Sequence, residues 1–225
     1  MKNFFQSTFI LIWKDLIIDL RKKEQFISMF FFAFLTLLIF YFASADNPGL
    51  FKKSISGIIW VVFLLSGILG LNKSFGQEVD NDCIGGLLLT PVDRSALFLG
   101  KLLSNAIFML MIQAMIIPLC IVFFGTTPQL IGELILVLMA GTLGFCSLGT
   151  LLAAMSASLK GKEILLPILL FPLMIPNLMC VVKITTYVFS PEMAEFPMAW
   201  WKLLIIFDVL FSVVSLLGFE FISES

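Results

Sequence analysis

The sequence has no histidine and little charge: only 13% of its 225 residues are Asp, Glu, Lys or Arg. A soluble domain carries about 25%. The absence of histidine removes the commonest general base, the commonest metal ligand and the usual axial ligand to heme iron. The net charge of −1 leaves no basic footprint for nucleic acid. Four cysteines, Cys83, Cys120, Cys146 and Cys180, are irregularly spaced with no CxxC, so they suggest neither zinc nor redox chemistry and read as small buried hydrophobes. Gly100-Lys101 and Gly161-Lys162 lack the rest of a Walker A loop. There is no HExxH, no Ser-His relay, and only one acid, Asp208, deep in an apolar run. These gaps predict a chain that is not an enzyme; any energy it uses comes from elsewhere.

What is present is apolar. Hydrophobic residues make up 60% of the chain, 25 residues are Phe, and the mean hydropathy is +1.08. A soluble domain of this size leaves about a quarter to a third of its surface in water, and this composition could not cover it. Six continuous runs predict transmembrane helices: Phe26–Ala43, Ile55–Leu71, Ala96–Phe124, Leu130–Leu159, Ile164–Phe189 and Trp200–Phe221. Barrel strands would alternate over about ten residues instead. The fold class is therefore an all-α integral membrane protein in a lipid bilayer.

With the N-terminus inside, ten of the 14 Lys and Arg residues fall on the inner side; only Lys52, Lys53, Lys183 and Lys202 fall outside. The positive-inside rule then places both termini in the cytoplasm. Residues 1–25 carry Phe5, Phe9, Ile12, Trp13, Leu16 and Leu20 at helical spacing, interrupted by Lys14, Asp15, Asp19 and Arg21-Lys22-Lys23. They predict an amphipathic interfacial helix, or an early start to the first span, rather than a cleaved signal. Residues 26–225 would form the six-helix domain.

The connection Asn72–Ser95, NKSFGQEVDNDCIGGLLLTPVDRS, is the one polar segment with a pattern. Val79, Cys83 and Leu87 recur four apart with Ile84 and Leu88 beside them, while Glu78, Asp80 and Asp82 lie on the other side. Thr90-Pro91 ends the element. This is either a short cytoplasmic helix that docks on a partner or a solvated loop resting on the membrane.

Within the spans, small residues line the fourth: Ala140, Gly144, Gly149, Ala153 and Ala157, with Cys146, Thr150, Ala154 and Ser158 alongside. They permit close packing, within the chain or between subunits. Pro167, Pro172 and Pro176, with Asn177, predict a kinked or partly unwound fifth span. Asp208 is a mid-membrane carboxylate, functional or packed and neutralised, with Lys202, Asn105 or Gln113 as candidate partners. Trp200-Trp201 fit an aromatic belt, or a heme platform.

Three blocks, GIIWVVFLLSGILGLNKSFGQEVDNDCIGGLLLTPVDRSALFLGK (Gly57–Lys101), GTLGFCSLGTLLAAMSASLKGKE (Gly141–Glu163) and LLPILLFPLMIPNLM (Leu165–Met179), resemble the heme-exporter B (CcmB) permeases of bacterial cytochrome c maturation. Relatives often carry an acidic or amide residue near Gly85-Gly86, where this chain has glycine. The resemblance implies an ABC-2-like permease in the bacterial inner membrane. Its implied partners are a separate cytoplasmic ABC ATPase, a second copy of itself, heme-handling membrane subunits and a periplasmic heme chaperone. Heme would be handled by the complex rather than bound here as a cofactor. The ATPase would dock on the helix at about 77–89, through Gln77, Glu78, Val79, Asp80, Asp82, Cys83, Leu87, Leu88 and Pro91. ATP hydrolysis would drive heme export or release of the loaded chaperone, and the lack of histidine leans towards release. The competing readings are an ABC-2-like permease for a lipid, polysaccharide or drug, and a scaffold without transport.

Overall fold

A computed structural model describes residues 24–44, 48–80, 94–157, 162–193 and 195–224, preceded by Thr8, Ile10, Ile12, Trp13 and Ile17; some side chains near the helix ends lie outside the described set. The described residues form helices joined by short turns, with no strand among them: α1 (Glu24–Ala43), α2 (Pro48–Asp80), α3 (Arg94–Phe124), α4 (Ile131–Ala157), α5 (Lys162–Phe189), a short 3-10 turn (Pro191–Met193) and α6 (Met198–Glu224). All six α-helices are long and apolar enough to cross a membrane, so the all-helical, six-span reading holds. The five described residues before α1 are helical, with Ile10 and Trp13 exposed; the rest of the expected interfacial helix lies outside the described residues.

Local chemistry sets several helix ends. The Ser44 amide bonds back to the Phe40 and Tyr41 carbonyls, and its hydroxyl also donates to Tyr41, closing α1. Pro48 opens α2, where a missing N–H costs nothing. Gly125 ends α3 at φ +60°, its amide bonded to the Ile121 carbonyl. That left-handed cap is cheap only for glycine.

Two elements depart from expectation. The apolar run of the second span ends at Leu71, yet α2 continues to Asp80. Leaving the hydrocarbon does not end a helix, because Lys73–Asp80 contains no proline and its polar residues are acceptable helix formers. Gln77, Glu78, Val79 and Asp80 thus lie in α2, and the rest of the docking helix expected to residue 89 lies outside the described residues. The fifth span is not unwound: α5 runs continuously through Pro167, Pro172 and Pro176. Each proline removes one donor and crowds the carbonyl four residues earlier, but its φ is helical and lipid leaves the remaining backbone groups no partner outside the helix. Pro172 and Pro176 sit four apart on an exposed face, while Asn177 turns inward.

The bundle is built around α4, which packs against α2, α3, α5 and α6; α1 lies at the edge against α2 and α3. Of the apolar stretches, 72% of α2 and of α4 is buried, against 22% of α1 and 17% of α6. In lipid there is little hydrophobic force between helices, so close backbone approach decides the packing. Glycines supply the hollows. Trp60 of α2 and Val181 of α5 fill the space over Gly141, Leu71 lies over Gly149, Phe145 and Met109 lie over Gly67, and Met29 lies over Gly70. The small-residue stripe therefore serves packing within the chain. Outward faces such as Ile27, Phe31 and Ile39 of α1 and Ile205, Ile206 and Val209 of α6 are apolar and exposed, as contact with acyl chains requires.

A methyl group on Gly141 would sit 2.5 Å from Trp60 Cη2 and 2.7 Å from Val181 Cγ1. Gly141→Ala is expected to destabilise the protein by about 1–3 kcal/mol through overpacking. Gly132→Ala, with nothing within 4 Å of the new carbon, should cause no loss. Thermal unfolding of both variants in detergent checks the contrast.

Candidate functional site

The interior apolar side chains form two clusters. One contains Ile55–Phe63, Phe108–Phe124 and Cys180–Phe189 residues; the other contains Leu64–Leu71, Phe98–Ala106, Phe145–Ala153 and Leu166–Met174 residues. At the level where one gives way to the other, α4, α5 and α6 present Gly144, Asn177 and Asp208. Asp208 stands halfway along the apolar stretch Met198–Phe219 of α6. Asn177 is 1% exposed, and its Nδ2 donates to Asp208 Oδ1 at 3.5 Å, a long bond near the outer limit. Both groups occupy the hollow over Gly144: a Cβ there would overlap Asp208 Oδ1 and Asn177 Nδ2. Glycine at this point is what lets two polar tips from neighbouring helices meet against a third.

Other polar pairs join helices at nearby levels. The Ser147 hydroxyl meets that of Ser212 at 3.0 Å, linking α4 to α6. Gln113 of α3 and Thr142 of α4 exchange two bonds, at 2.9 and 3.2 Å. Asn105 Nδ2 donates to Thr150 Oγ1 at 3.4 Å, and Trp60 Nε1 donates to Thr185 Oγ1 at 2.9 Å. Four of these joints, the Asn177–Asp208 pair included, rest on α4. Interhelical polar contacts in membranes contribute about 0.6 kcal/mol each on average, so they define register more than they add stability.

The sequence singled out Asp208 and Asn177 separately, and the structure brings them together. It does not give Asp208 the expected partners. Asn105 and Gln113 are engaged with Thr150 and Thr142, and Lys202 is exposed near the start of α6. Pro172 and Pro176 face outward, away from the pair. Gly144 was visible only as one member of a stripe. Ser147, Ser212, Thr142 and Thr185 carried no signal in the sequence, because hydroxyls are common in membrane helices. Of the expected docking residues, Gln77, Glu78, Val79 and Asp80 close α2 with side chains outside the described set; Asp82, Cys83, Leu87, Leu88 and Pro91 lie outside the described residues altogether.

Among the described residues no cluster of three or more His, Cys, Asp or Glu side chains could hold a metal ion. Cys120, Cys146 and Cys180 are buried free thiols on three different helices. Two interior chambers flank the pair's level. One is lined by Trp60, Gln113, Thr142, Met174 and Asn177; the other by Gln25, Asn105, Met109, Phe145 and Cys146. Each leaves about 10 Å³ for the centre of a water-sized molecule. The described site therefore assembles a hydrogen-bonded joint between helices, with no nucleophile paired to a base.

The family model described as CcmB protein matches residues 6–222. The chain belongs to the CcmB family. Similar curated proteins are named heme exporter protein B. That of Pseudomonas aeruginosa is 26% identical over 178 residues, covering 79% of this chain and 78% of the relative. Those of Haemophilus influenzae and Rhodobacter capsulatus are 24% and 27% identical, each over 75% of this chain and covering 76% and 77% of the relative. With six spanning helices, this CcmB-family chain is a multi-pass membrane protein.

In this CcmB-family fold, contact between Asn177 and Asp208 predicts non-additive variants. A double-mutant cycle of Asn177→Ala and Asp208→Ala, read by unfolding in mixed micelles, should give a coupling of about 0.6 kcal/mol, with about 1.7 as the upper end. Strict additivity would show that the two side chains act independently.

Proposed function

We propose that this chain is the permease subunit of an ATP-driven complex that handles heme during cytochrome c maturation in the bacterial inner membrane, with both termini in the cytoplasm. The observation that carries this reading is the continuity of α2. Its apolar stretch, Ser54–Asn72, is enough to cross the bilayer, yet the helix spans 33 residues, roughly 50 Å at 1.5 Å per residue. The hydrocarbon core is about 30 Å thick. The surplus beyond Asn72 leads without a break into the acid-flanked segment where a separate ABC ATPase would dock, at Gln77, Glu78, Val79, Asp80, Asp82, Cys83, Leu87, Leu88 and Pro91. A helix already packed on α4 through Trp60 and Leu71 would transmit displacement of that segment into the bundle. The Asn177–Asp208 joint over Gly144, with the proline-bearing α5, would then be remade between states.

The name of the relatives, heme exporter protein B, supports heme as the substrate. The two chambers inside the bundle hold about one water each, far less than a porphyrin. These chambers supply no heme site, which supports handling of heme at outer faces of the complex: between two copies of this chain, by companion membrane subunits, or on a periplasmic heme chaperone whose release ATP hydrolysis would drive. This chain itself is non-catalytic and holds no heme as a resident cofactor.

Two variants separate docking from transmission. Glu78→Lys, Asp80→Lys and Asp82→Lys together should abolish co-purification of the ATPase while leaving membrane insertion unchanged. Two glycines inserted between Asn72 and Lys73 should leave the ATPase bound but abolish c-type cytochromes. Normal cytochromes in the second variant would refute transmission through α2. Normal cytochromes in a deletion strain that has lost efflux of another compound would move the substrate away from heme.

A further inference from the structure

Gln25, in the first turn of α1, is 2% exposed. Its Nε2 donates to the Gly70 carbonyl of α2 at 3.1 Å. Its Oε1 is buried with no hydrogen-bond partner. A buried amide oxygen left unpaired within a membrane bundle forfeits its hydration, and native interiors rarely tolerate that without a partner or an ordered water. Gln25 also lines a chamber at the junction of α1, α2, α3 and α4, shared with Asn105, Met29, Met109, Phe145 and Cys146.

The chamber has about 10 Å³ for the centre of a water-sized molecule, the threshold for holding one water. Half of its described wall is thioether, thiol and phenyl, groups that hydrogen-bond weakly, and Leu71, Gly67 and Gly70 add no polar side chain. The polar side chains are the amides of Gln25 and Asn105. Asn105 is itself buried and makes only a long bond to Thr150, at 3.4 Å. An occupant must donate to Gln25 Oε1 and must be small, and among the described residues no acid or base lines the space to balance a charge. Water meets these conditions.

We propose that this four-helix junction is a binding site for one internal water, held by Gln25 Oε1 and the Asn105 amide, which ties α1 to α3 as Gln25 Nε2 ties α1 to α2. The site stands at the end of the apolar stretch of α2, close to Gly70, and depends on nothing assumed about an ATPase or heme. Gly67 and Gly70 shape it: Met109 and Met29 lie in the hollows these glycines leave, and the chamber opens between their tips.

Millisecond X-ray radiolysis of the full chain in lipid nanodiscs tests this, because hydroxyl radicals formed from a bound water oxidise the nearest side chains even when bulk solvent is excluded. Met29, Met109 and Cys146 should be oxidised several-fold faster than Cys120, which is equally buried and lines neither chamber. After mixing into ¹⁸O-water, label should reach Met29 later than the exposed Met198. Gln25→Leu should bring Met29 and Cys146 down to the Cys120 rate. Equal rates for all three sulfurs and Cys120 in the unaltered chain would show the chamber dry. Label arriving at Met29 and Met198 together would make the chamber an inlet for bulk solvent; either result overturns the proposal.

Discussion

Close approach of backbones at glycine is the constraint on which this structure depends. Among lipid chains, a leucine gains little by leaving acyl neighbours for another leucine, so helices hold where their surfaces interlock and their polar tips meet. Here that happens along α4. Trp60, Leu71, Val181 and the Asn177–Asp208 pair all occupy hollows of α4 glycines. The hydroxyls of Thr142, Ser147 and Thr150 on the same helix fix neighbours by hydrogen bonds. The helix that packs on α2 and α3 instead, α1, is among the most exposed.

The polar groups are not scattered. Gly144, Asn177 and Asp208 stand where the two apolar clusters meet, one on either side of them: Cys180 and Leu204 belong to the first, Met174 and the half-buried Phe211 to the second. A carboxylate at this depth is expensive in lipid. Its cost is contained because the tip lies inside the bundle against an amide. Such an arrangement sets a polar contact at the boundary of two packed apolar regions and fixes the register of the helices there.

Much of this was legible in the sequence, for a physical reason. Lipid imposes a long, simple requirement on each span, and twenty apolar residues in a row are hard to mistake. Asp208 and Asn177 stood out for the same reason, as polar residues where the solvent forbids them. Their pairing was not legible, because they are on different helices and the rotation of one helix against another is set by hollows such as Gly144 rather than by spacing along the chain. The prolines of α5 leave kinking and partial unwinding both open in the sequence, and the structure removes the second: the helix runs on through all three. The polarity of Lys73–Asp80 marked the edge of the hydrocarbon, which is a boundary of solvent and not of helix.

The grip on α2 at Gly67 and Gly70, where Phe145, Met109 and Met29 seat, has a mechanical consequence. From Gly70 to Asp80 is about 15 Å of helix, and from Gly67 back to Pro48 about 28 Å. A stiff beam pivoted there has unequal arms: a sideways displacement of the Asp80 end would swing the Pro48 end about twice as far in the opposite sense.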